Sequence, residues 1–428
     1  MKTAINVGLL GFGTVGTGVV KLLSSNSHNY EQKVGAPIRI KTILVRNPEK
    51  VRAVNVDTRI TTNIEDILND KDIDVVIELM GGEQPAKEYI VQALKAGKHV
   101  VTANKDVMAK HGRELFAAAE ENCVDLLFEA SVGGGIPIIR PLKQCLAGNN
   151  IKEVMGIING TTNFMLTKMT MEGLDYDTVL AEAQRLGYAE SDPTADVGGL
   201  DAARKIAILA SIAFGSRVTF DDVYAEGITD ITTEDICYAG ELGYTIKLLA
   251  IAKDSENGID VRVHPALIPC THPLASVNNE FNAIFVKGDA VGETMFYGRG
   301  AGELPTASAV VADVIDVARD IRHNVSSRIL CTCFESRSFC PIDETVNSYY
   351  IRMLVDDKPG VLAAIAGAFG AQQVSLHSVI QKSQIGKFAE LVLITYGVSH
   401  ANVKKALNDL KDMAAVNKVN SVIRVIKE

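Results

Sequence analysis

Residues 4–23 read AINVGLLGFGTVGTGVVKLL. Ala4 to Leu10 is an apolar run of the kind that forms a strand buried on both faces. Gly11-Phe12-Gly13-Thr14-Val15-Gly16 follows without a gap, and a helix is predicted from Val15 to Leu23. Glycine at the first position permits a tight turn, at the second lets a pyrophosphate reach the backbone, and at the third lets helix and strand pack closely. The helix then turns its N-terminus, with its unsatisfied N–H groups, toward the anion. A G-x-G-x-x-G motif alone is weak. Between a first strand and a helix it predicts a dinucleotide-binding loop made of Gly11, Phe12, Gly13, Thr14, Val15 and Gly16. The expected class is α/β, opening with a Rossmann-like domain.

Working outward, a polar loop is expected over Ser24 to Gly35, and a second strand over Ile38 to Val45. An NAD-binding fold usually ends that strand on Asp or Glu, which holds the ribose hydroxyls. Here the position is Arg46, with Lys50 and Arg52 after it. Cations suit a 2′-phosphate, so NADP is favoured over NAD. The pattern then repeats: a strand over Asp74 to Leu79, a helix over Pro85 to Ala96 closed by Gly97, and a strand over His99 to Thr102. Ala103-Asn104-Lys105 lies just past that strand, where such sheets line their ligand crevice, so Lys105 is a site candidate. A helix from Glu114 to Asn122 and a strand from Val124 to Phe128 complete the unit.

A chain of 428 residues implies two or three domains. A net charge of −9, with no Lys/Arg run, argues against a nucleic-acid surface. No apolar run is long enough to span a membrane, and MKTAINVGLLGFG reads as a first strand rather than a signal peptide. Seven scattered cysteines fit a reducing, cytoplasmic setting without disulfides. Cys331, Cys333 and Cys340 form the one cluster, and free thiols are the preferred reading over a metal site.

Glu129-Ala130-Ser131-Val132-Gly133-Gly134-Gly135-Ile136-Pro137 sets three glycines beside a carboxylate. Exposed carbonyls near a charge could hold a hard cation; from the sequence alone, a hinge is the preferred reading. A strand over Val154 to Ile158 is closed by a polar turn, Asn159 to Asn163, and a helix from Tyr176 ends at Gly187. Residues 187–205 read GYAESDPTADVGGLDAARK. Glu190, Asp192 and Asp196 sit among turn residues. Asp201 and Lys205, at i and i+4, share one helix face with Ile208 and Ile212, which turns a charged pair toward a packed interior. Strands over Ile246 to Ala252, Val261 to His264, Ala283 to Val286 and Thr294 to Phe296 build a second, α+β domain. Gly298 to Gly302 reads as a flexible loop, and a long helix from Pro305 to Arg322 crosses back to the nucleotide domain. After about residue 325 the pattern becomes βαββαβ, a ferredoxin-like unit.

These pieces together resemble homoserine dehydrogenase along the whole chain. The matching motifs are GFGTVG, TANK at 102–105, EASVGGGIP at 129–137, NGTTNF at 159–164, the 187–205 stretch and PTASAVVAD at 305–313. The tail, with DKPGVLAAIAGAFG, resembles an ACT domain. The implied domains are a Rossmann domain at 1–130 completed by the 305–322 helix, a substrate-binding and dimerisation domain at 131–304, a linker at 325–347, and an ACT regulatory domain at 348–428. The resemblance implies reversible NAD(P)-dependent reduction of L-aspartate 4-semialdehyde to L-homoserine, on the route to threonine, isoleucine and methionine. It makes Lys205 the general acid and Lys105 its partner at cofactor and substrate. Gly187, Glu190, Asp196 and Asp201 become substrate ligands, and Gly302 joins the cofactor-binding residues. Glu129, with the carbonyls of Val132, Gly134 and Ile136, becomes a site for a monovalent cation such as Na+, which reverses the hinge reading. A homodimer or homotetramer is expected, with an amino-acid effector, threonine foremost, at the ACT domain.

The chemistry agrees with the residues. Aldehyde reduction needs a hydride donor and a proton or cation at the developing alkoxide, and a substrate ammonium needs carboxylates. A phosphorylating semialdehyde dehydrogenase would instead need an activated cysteine. A non-catalytic sensor of nucleotide and amino acid would not need the Asp201/Lys205 helix.

Overall fold

The computed structural model describes residues 2–52, 54, 56–328 and 331–427, and the side chains of these except 383–385. The chain begins β1 (Ile5–Leu10), α1 (Thr14–Ser25), α2 (Ser27–Val34), β2 (Ile38–Leu44), β3 (Arg59–Thr61), α3 (Glu65–Leu68), β4 (Ile73–Glu78), α4 (Ala86–Lys95), β5 (His99–Thr102), α5 (Lys105–Glu121) and β6 (Leu126–Leu127). The six strands pair in the order β3-β2-β1-β4-β5-β6, all parallel. The order reverses between β1 and β4, the switch point where doubly wound sheets bind their ligands.

The chain continues through β7 (Ile151–Ile157), α6 (Gly160–Glu172), α7 (Tyr176–Leu186), α8 (Thr194–Val197), α9 (Leu200–Ala213), β8 (Tyr224–Ala225), α10 (Thr233–Glu241), β9 (Tyr244–Ser255), β10 (Gly258–Pro269), β11 (Phe281–Gly288), β12 (Gly292–Arg299) and α11 (Glu303–His323). It ends β13 (Val346–Asp356), α12 (Val361–Ala371), β14 (Leu376–Ile385), β15 (Phe388–Thr395), β16 (Val398–Ser399), α13 (His400–Lys411) and β17 (Val416–Val425), the βαββαβ order read from the sequence with one two-residue strand added.

The chain divides into two compact units. The first comprises Met1–Val154, Arg204–Asp222 and Asn282–Arg337. Its core joins Ile5, Val7 and Leu9 of β1 and Val19, Val20 and Leu23 of α1 to Ala307, Val310, Val311 and Val314 of α11. Here α11 and α1 touch almost at their backbones: a Cβ on Gly18 would lie 2.6 Å from the Glu303 carbonyl oxygen. Lys21 and Glu303 close that contact with a 2.6 Å ion pair. The crossing-back helix is therefore present, from Glu303 rather than Pro305.

The second unit comprises Met155–Ala203, Val223–Phe281 and Ser338–Glu428. In it β9 and β10 form a long antiparallel hairpin. β17 pairs parallel with β10 and antiparallel with β13, which carries the order on through β15 to β14. Tyr349, Ile351 and Met353 of β13, Phe369 of α12 and Leu410 of α13 make the core of this C-terminal βαββαβ part. Arg352 is buried in this unit and donates to Asp235 (2.7 Å) and Glu390 (2.9 Å), the arrangement in which a buried cation is tolerated. Among the described residues no helix is long and apolar enough to cross a membrane.

Four local expectations need correction. The stretch expected as a polar loop from Ser24 to Gly35 is largely helix α2, stopped by Gly35 in the left-handed conformation (φ 78°). The polar turn at 159–163 opens α6: Asn159 is its N-cap and accepts from the Thr162 N–H. The helix expected from Glu114 begins nine residues earlier, at Lys105. The 298–302 segment is not a flexible loop throughout, since β12 runs to Arg299 and Gly300 lies so close to the Asn282 side chain that no Cβ would fit.

Candidate functional site

The first unit sets Gly11 and Gly13 in the turn between β1 and α1, and Gly16 in the first turn of α1. Gly11 has φ 99°, and a Cβ there would sit 2.6 Å from the Leu79 carbonyl oxygen. A Cβ on Gly16 would collide with the Gly11 carbonyl, whereas one on Gly13 would meet nothing within 4 Å. Two glycines thus serve backbone packing, and the third leaves open space at the N-terminus of α1. Gly13 is the N-cap of α1 and provides no side-chain cap, so its first N–H groups face outward for an anion.

A cleft of about 570 Å³ leads from Gly11, Phe12 and Gly13 past Arg46, Asn47, Lys50 and Arg52 to Met80, Pro85 and Tyr89. Arg52 is committed to its own loop: it donates to the carbonyls of Asn47 (2.7 Å), Lys50 (2.8 Å) and Pro48 (3.2 Å) and stacks over Phe12 at 5.4 Å. Arg46 and Lys50 are exposed at the cleft.

Lys105 is the first residue of α5, behind the N-cap Asn104, whose Oδ1 accepts from the Val107 N–H at 3.2 Å. Its support was not legible in the sequence. Glu78, fully buried at the end of β4, accepts from Thr102 Oγ1 (2.6 Å) and from the Met80 N–H (2.7 Å). Thr102 Oγ1 in turn accepts from the Asn104 N–H (3.0 Å), and Asn104 Nδ2 donates to the Gly82 carbonyl (2.7 Å). Burial pushes the Glu78 carboxyl up from its ordinary range. At the other end, Arg204 of α9 binds Asp106 of α5 at 3.0 Å and stacks on Phe220 at 5.0 Å. The residue after Lys105 is thereby tied to the residue before Lys205. Both lysines are half-buried.

The second unit gathers carboxylates. Asn159 Nδ2 donates to Asp196 (2.7 Å) and Asp201 (2.9 Å), while Asn159 Oδ1 caps α6. Asp201 is 6% exposed and lies in the first turn of α9, and Asp196 is half-buried in α8. Gly187 is the left-handed C-cap of α7 (φ 78°), and Glu190, three residues on, is exposed. Gln184 holds the Glu190 carbonyl at 3.0 Å, which leaves the position of that turn defined. Asn159 is the residue whose role sequence reading missed, although an Asn five residues before a helix-buried Phe164 was a usable capping signal.

The Glu129 segment is a built loop. The buried carboxylate accepts N–H bonds from Ile138 (2.6 Å) and Ile139 (2.8 Å) on one oxygen and from Arg140 (2.8 Å) on the other. Gly133 and Gly134 have φ 72° and 53°, and the Ile136 N–H closes a turn onto the Gly133 carbonyl at 2.8 Å. The Glu129 N–H donates to Asp313 of α11 at 2.8 Å, and Asp313 also pairs with Arg140. Burial pushes the Asp313 carboxyl up to about 7. Gly302 is the N-cap of α11, at φ 125°.

A dinucleotide loop serves hydride transfer, and an amine is suited to a carbonyl oxygen that gains or loses a proton. The chain is an NAD(P)-dependent oxidoreductase acting on a CH–OH group. The family profile "Homoserine dehydrogenase, NAD binding domain" matches residues 11–129, "Homoserine dehydrogenase" matches 137–315, and "ACT domain" matches 349–415. The homoserine dehydrogenase of Bacillus subtilis is 46% identical over 99% of this chain and 98% of its own, and that of Synechocystis is 48% identical over 99% of each. The crystal structure of a homoserine dehydrogenase from Thiobacillus denitrificans, 45% identical, matches with a TM-score of 0.95 over 99% of this chain and 98% of that one. A hyperthermophilic archaeal homoserine dehydrogenase mutant, solved in complex with NADPH, matches 73% of this chain and 97% of its own at 26% identity, with a TM-score of 0.63. The chain belongs to the homoserine dehydrogenase family.

Proposed function

We propose that this chain interconverts L-aspartate 4-semialdehyde and L-homoserine with NADPH as the preferred cofactor. When bound, the cofactor supplies or accepts the hydride at the substrate C4. Lys205 gives the carbonyl oxygen its proton in reduction and takes it back in oxidation, and Lys105 stabilises the developing alkoxide and orients the cofactor end. Glu190, Asp196 and Asp201 hold the substrate ammonium, with Gly187 leaving room beside them. The single observation that carries these roles is the Arg204–Asp106 ion pair, which joins the chain neighbours of Lys205 and Lys105. NADPH is supported by exposed Arg46 and Lys50 at the cleft, and by the archaeal relative solved with it.

The Glu129 loop fits a monovalent cation in its chemistry. Its donors are all oxygen, and three N–H bonds leave a lone pair on the carboxylate. Glu129 and the carbonyls of Val132, Gly134 and Ile136 would hold such an ion, whose charge would stabilise the loop that joins β6 to β7. At the ACT domain, threonine is the proposed effector, at the uncapped N-terminus of α12 behind Gly360. A homo-oligomer is supported by apolar surface on α12, where Leu362 is 46% exposed, and on β12, where Tyr297 is 54% exposed.

The test is turnover of aspartate semialdehyde with NADPH in wild type and Lys205→Ala. The variant should lose roughly 100-fold or more in kcat with a smaller change in KM. A kcat within a few-fold of wild type assigns the proton to another group.

A further inference from the structure

Cys331 and Cys333 lie in the first unit, outside the residues assigned to catalysis. Their segment is strapped down: the Glu335 N–H donates to the Gly215 carbonyl (2.9 Å), and the Arg337 N–H donates to Ser216 Oγ (3.1 Å). Arg217 Nη2 lies 3.4 Å from Cys331 Sγ. Its Nε is buried with no hydrogen-bond partner among the described residues. Lys143 faces the same small pocket and lies over the rings of Phe116 (4.8 Å) and Phe128 (5.4 Å). Burial takes the Lys143 ammonium down to about 8.

Cys331 and Cys333 are two residues apart and line the same pocket, and Cys333 Sγ lies 3.8 Å from the Ser211 carbonyl oxygen. The neighbouring Cys333 thiol, with the charge of Arg217 and Lys143, draws the Cys331 thiol down, and Cys331 in turn pushes Cys333 up. Both sulfurs are half-buried, so reagents reach them. The pocket holds about 20 Å³, room for little more than one water molecule. That volume admits a small hydroperoxide.

We propose that Cys331 and Cys333 form a peroxide-reactive dithiol, with Cys331 as the attacking thiolate and Cys333 as the resolving thiol. The Cys331 sulfur attacks one oxygen of hydrogen peroxide and the O–O bond breaks. The departing hydroxide takes a proton and leaves as water, and Cys331 becomes a sulfenic acid. Cys333 then attacks that sulfur: the S–S bond forms, the S–O bond breaks, and the hydroxyl leaves with the Cys333 proton as a second water. Two thiols are oxidised by two electrons and one peroxide is reduced.

The seven cysteines contain their own control, because Cys123, Cys145, Cys237 and Cys270 are exposed. The full-length enzyme at pH 6 would receive one equivalent of hydrogen peroxide, then acid quenching and peptide mass spectrometry. The peptide spanning 331–333 should become lighter by two hydrogens while the four exposed thiols stay reduced. Cys333→Ser should stop at a sulfenic acid on Cys331 that dimedone traps, and Arg217→Gln should slow oxidation roughly tenfold, the loss of one nearby charge. Oxidation of the exposed cysteines first, or an unchanged rate at Cys333 in Cys331→Ser, overturns the proposal.

Discussion

Replacing Asn159 by Ala removes a residue that does three things at once. The helix cap on α6 is lost, which costs about 1 kcal/mol. The donor to Asp201 is lost, and at 6% exposure water replaces it poorly, so this hydrogen bond to a charged group costs about 2 kcal/mol. The donor to half-buried Asp196 is largely replaced by solvent. The sum, about 3 kcal/mol, corresponds to roughly 100-fold in the opening equilibrium of α6. Hydrogen exchange of the Thr162–Met169 amides, followed by mass spectrometry, reads that loss directly. The KM for aspartate semialdehyde should rise as the two carboxylates lose their common tether, with kcat changing less. Asn159→Ser keeps a capping oxygen and should recover roughly fivefold of the protection, since the cap is worth about 1 kcal/mol. Protection within threefold of wild type in the Ala variant, with KM unchanged, would refute the reasoning.

Three further outcomes are expected. Arg46→Ala should raise the Kd for NADPH more than that for NADH, and equal effects would remove Arg46 from the 2′-phosphate. Burial holds the Lys247 ammonium at about 8 against an ordinary 10.5, so between those values the unfolded chain binds the extra proton and stability rises with pH; Lys247→Met should flatten the rise in the urea midpoint across that window, and an unchanged slope would mean that another group titrates. Threonine should inhibit the wild-type chain, and Gly360→Asp, which sets a carboxylate at the uncapped end of α12, should relieve the inhibition with basal turnover intact; threonine inhibiting both equally would place the effector elsewhere.

The nucleotide loop was legible because each glycine answers a different local demand, and the spacing of those demands is fixed by the turn itself. The ACT unit was legible because turn residues such as Asp357 to Gly360 separate its apolar strands from its short helices. By contrast, α2 has only Val34 buried and so carries no apolar stripe to read. α6 is buried almost all round from Thr161 to Thr167, which removes the polar face that periodicity needs. The tether from Asn159 to Asp196 and Asp201 spans 37 and 42 residues, and that of Glu78 to Thr102 spans 24. Such partners are brought together by topology, so no window of sequence contains them. The carboxylates themselves could be named, but not the amide that joins them.

The pairing of α1 with α11 sets a timetable for synthesis. Val19, Val20 and Leu23 leave the ribosome early, yet Ala307, Val310 and Val311 that cover them come nearly three hundred residues later. At 5–20 residues per second the interval between Ser25 and Glu303 is roughly 15–55 s. Throughout it the nascent nucleotide half displays an uncovered apolar face, while the glycine-lined groove waiting for α11 is open to any passing helix. The first unit therefore cannot finish folding co-translationally in the order it is made. A holding chaperone, or slow initiation that keeps neighbouring nascent chains apart, should raise the yield of this protein more than that of a Rossmann domain whose covering helices are all local.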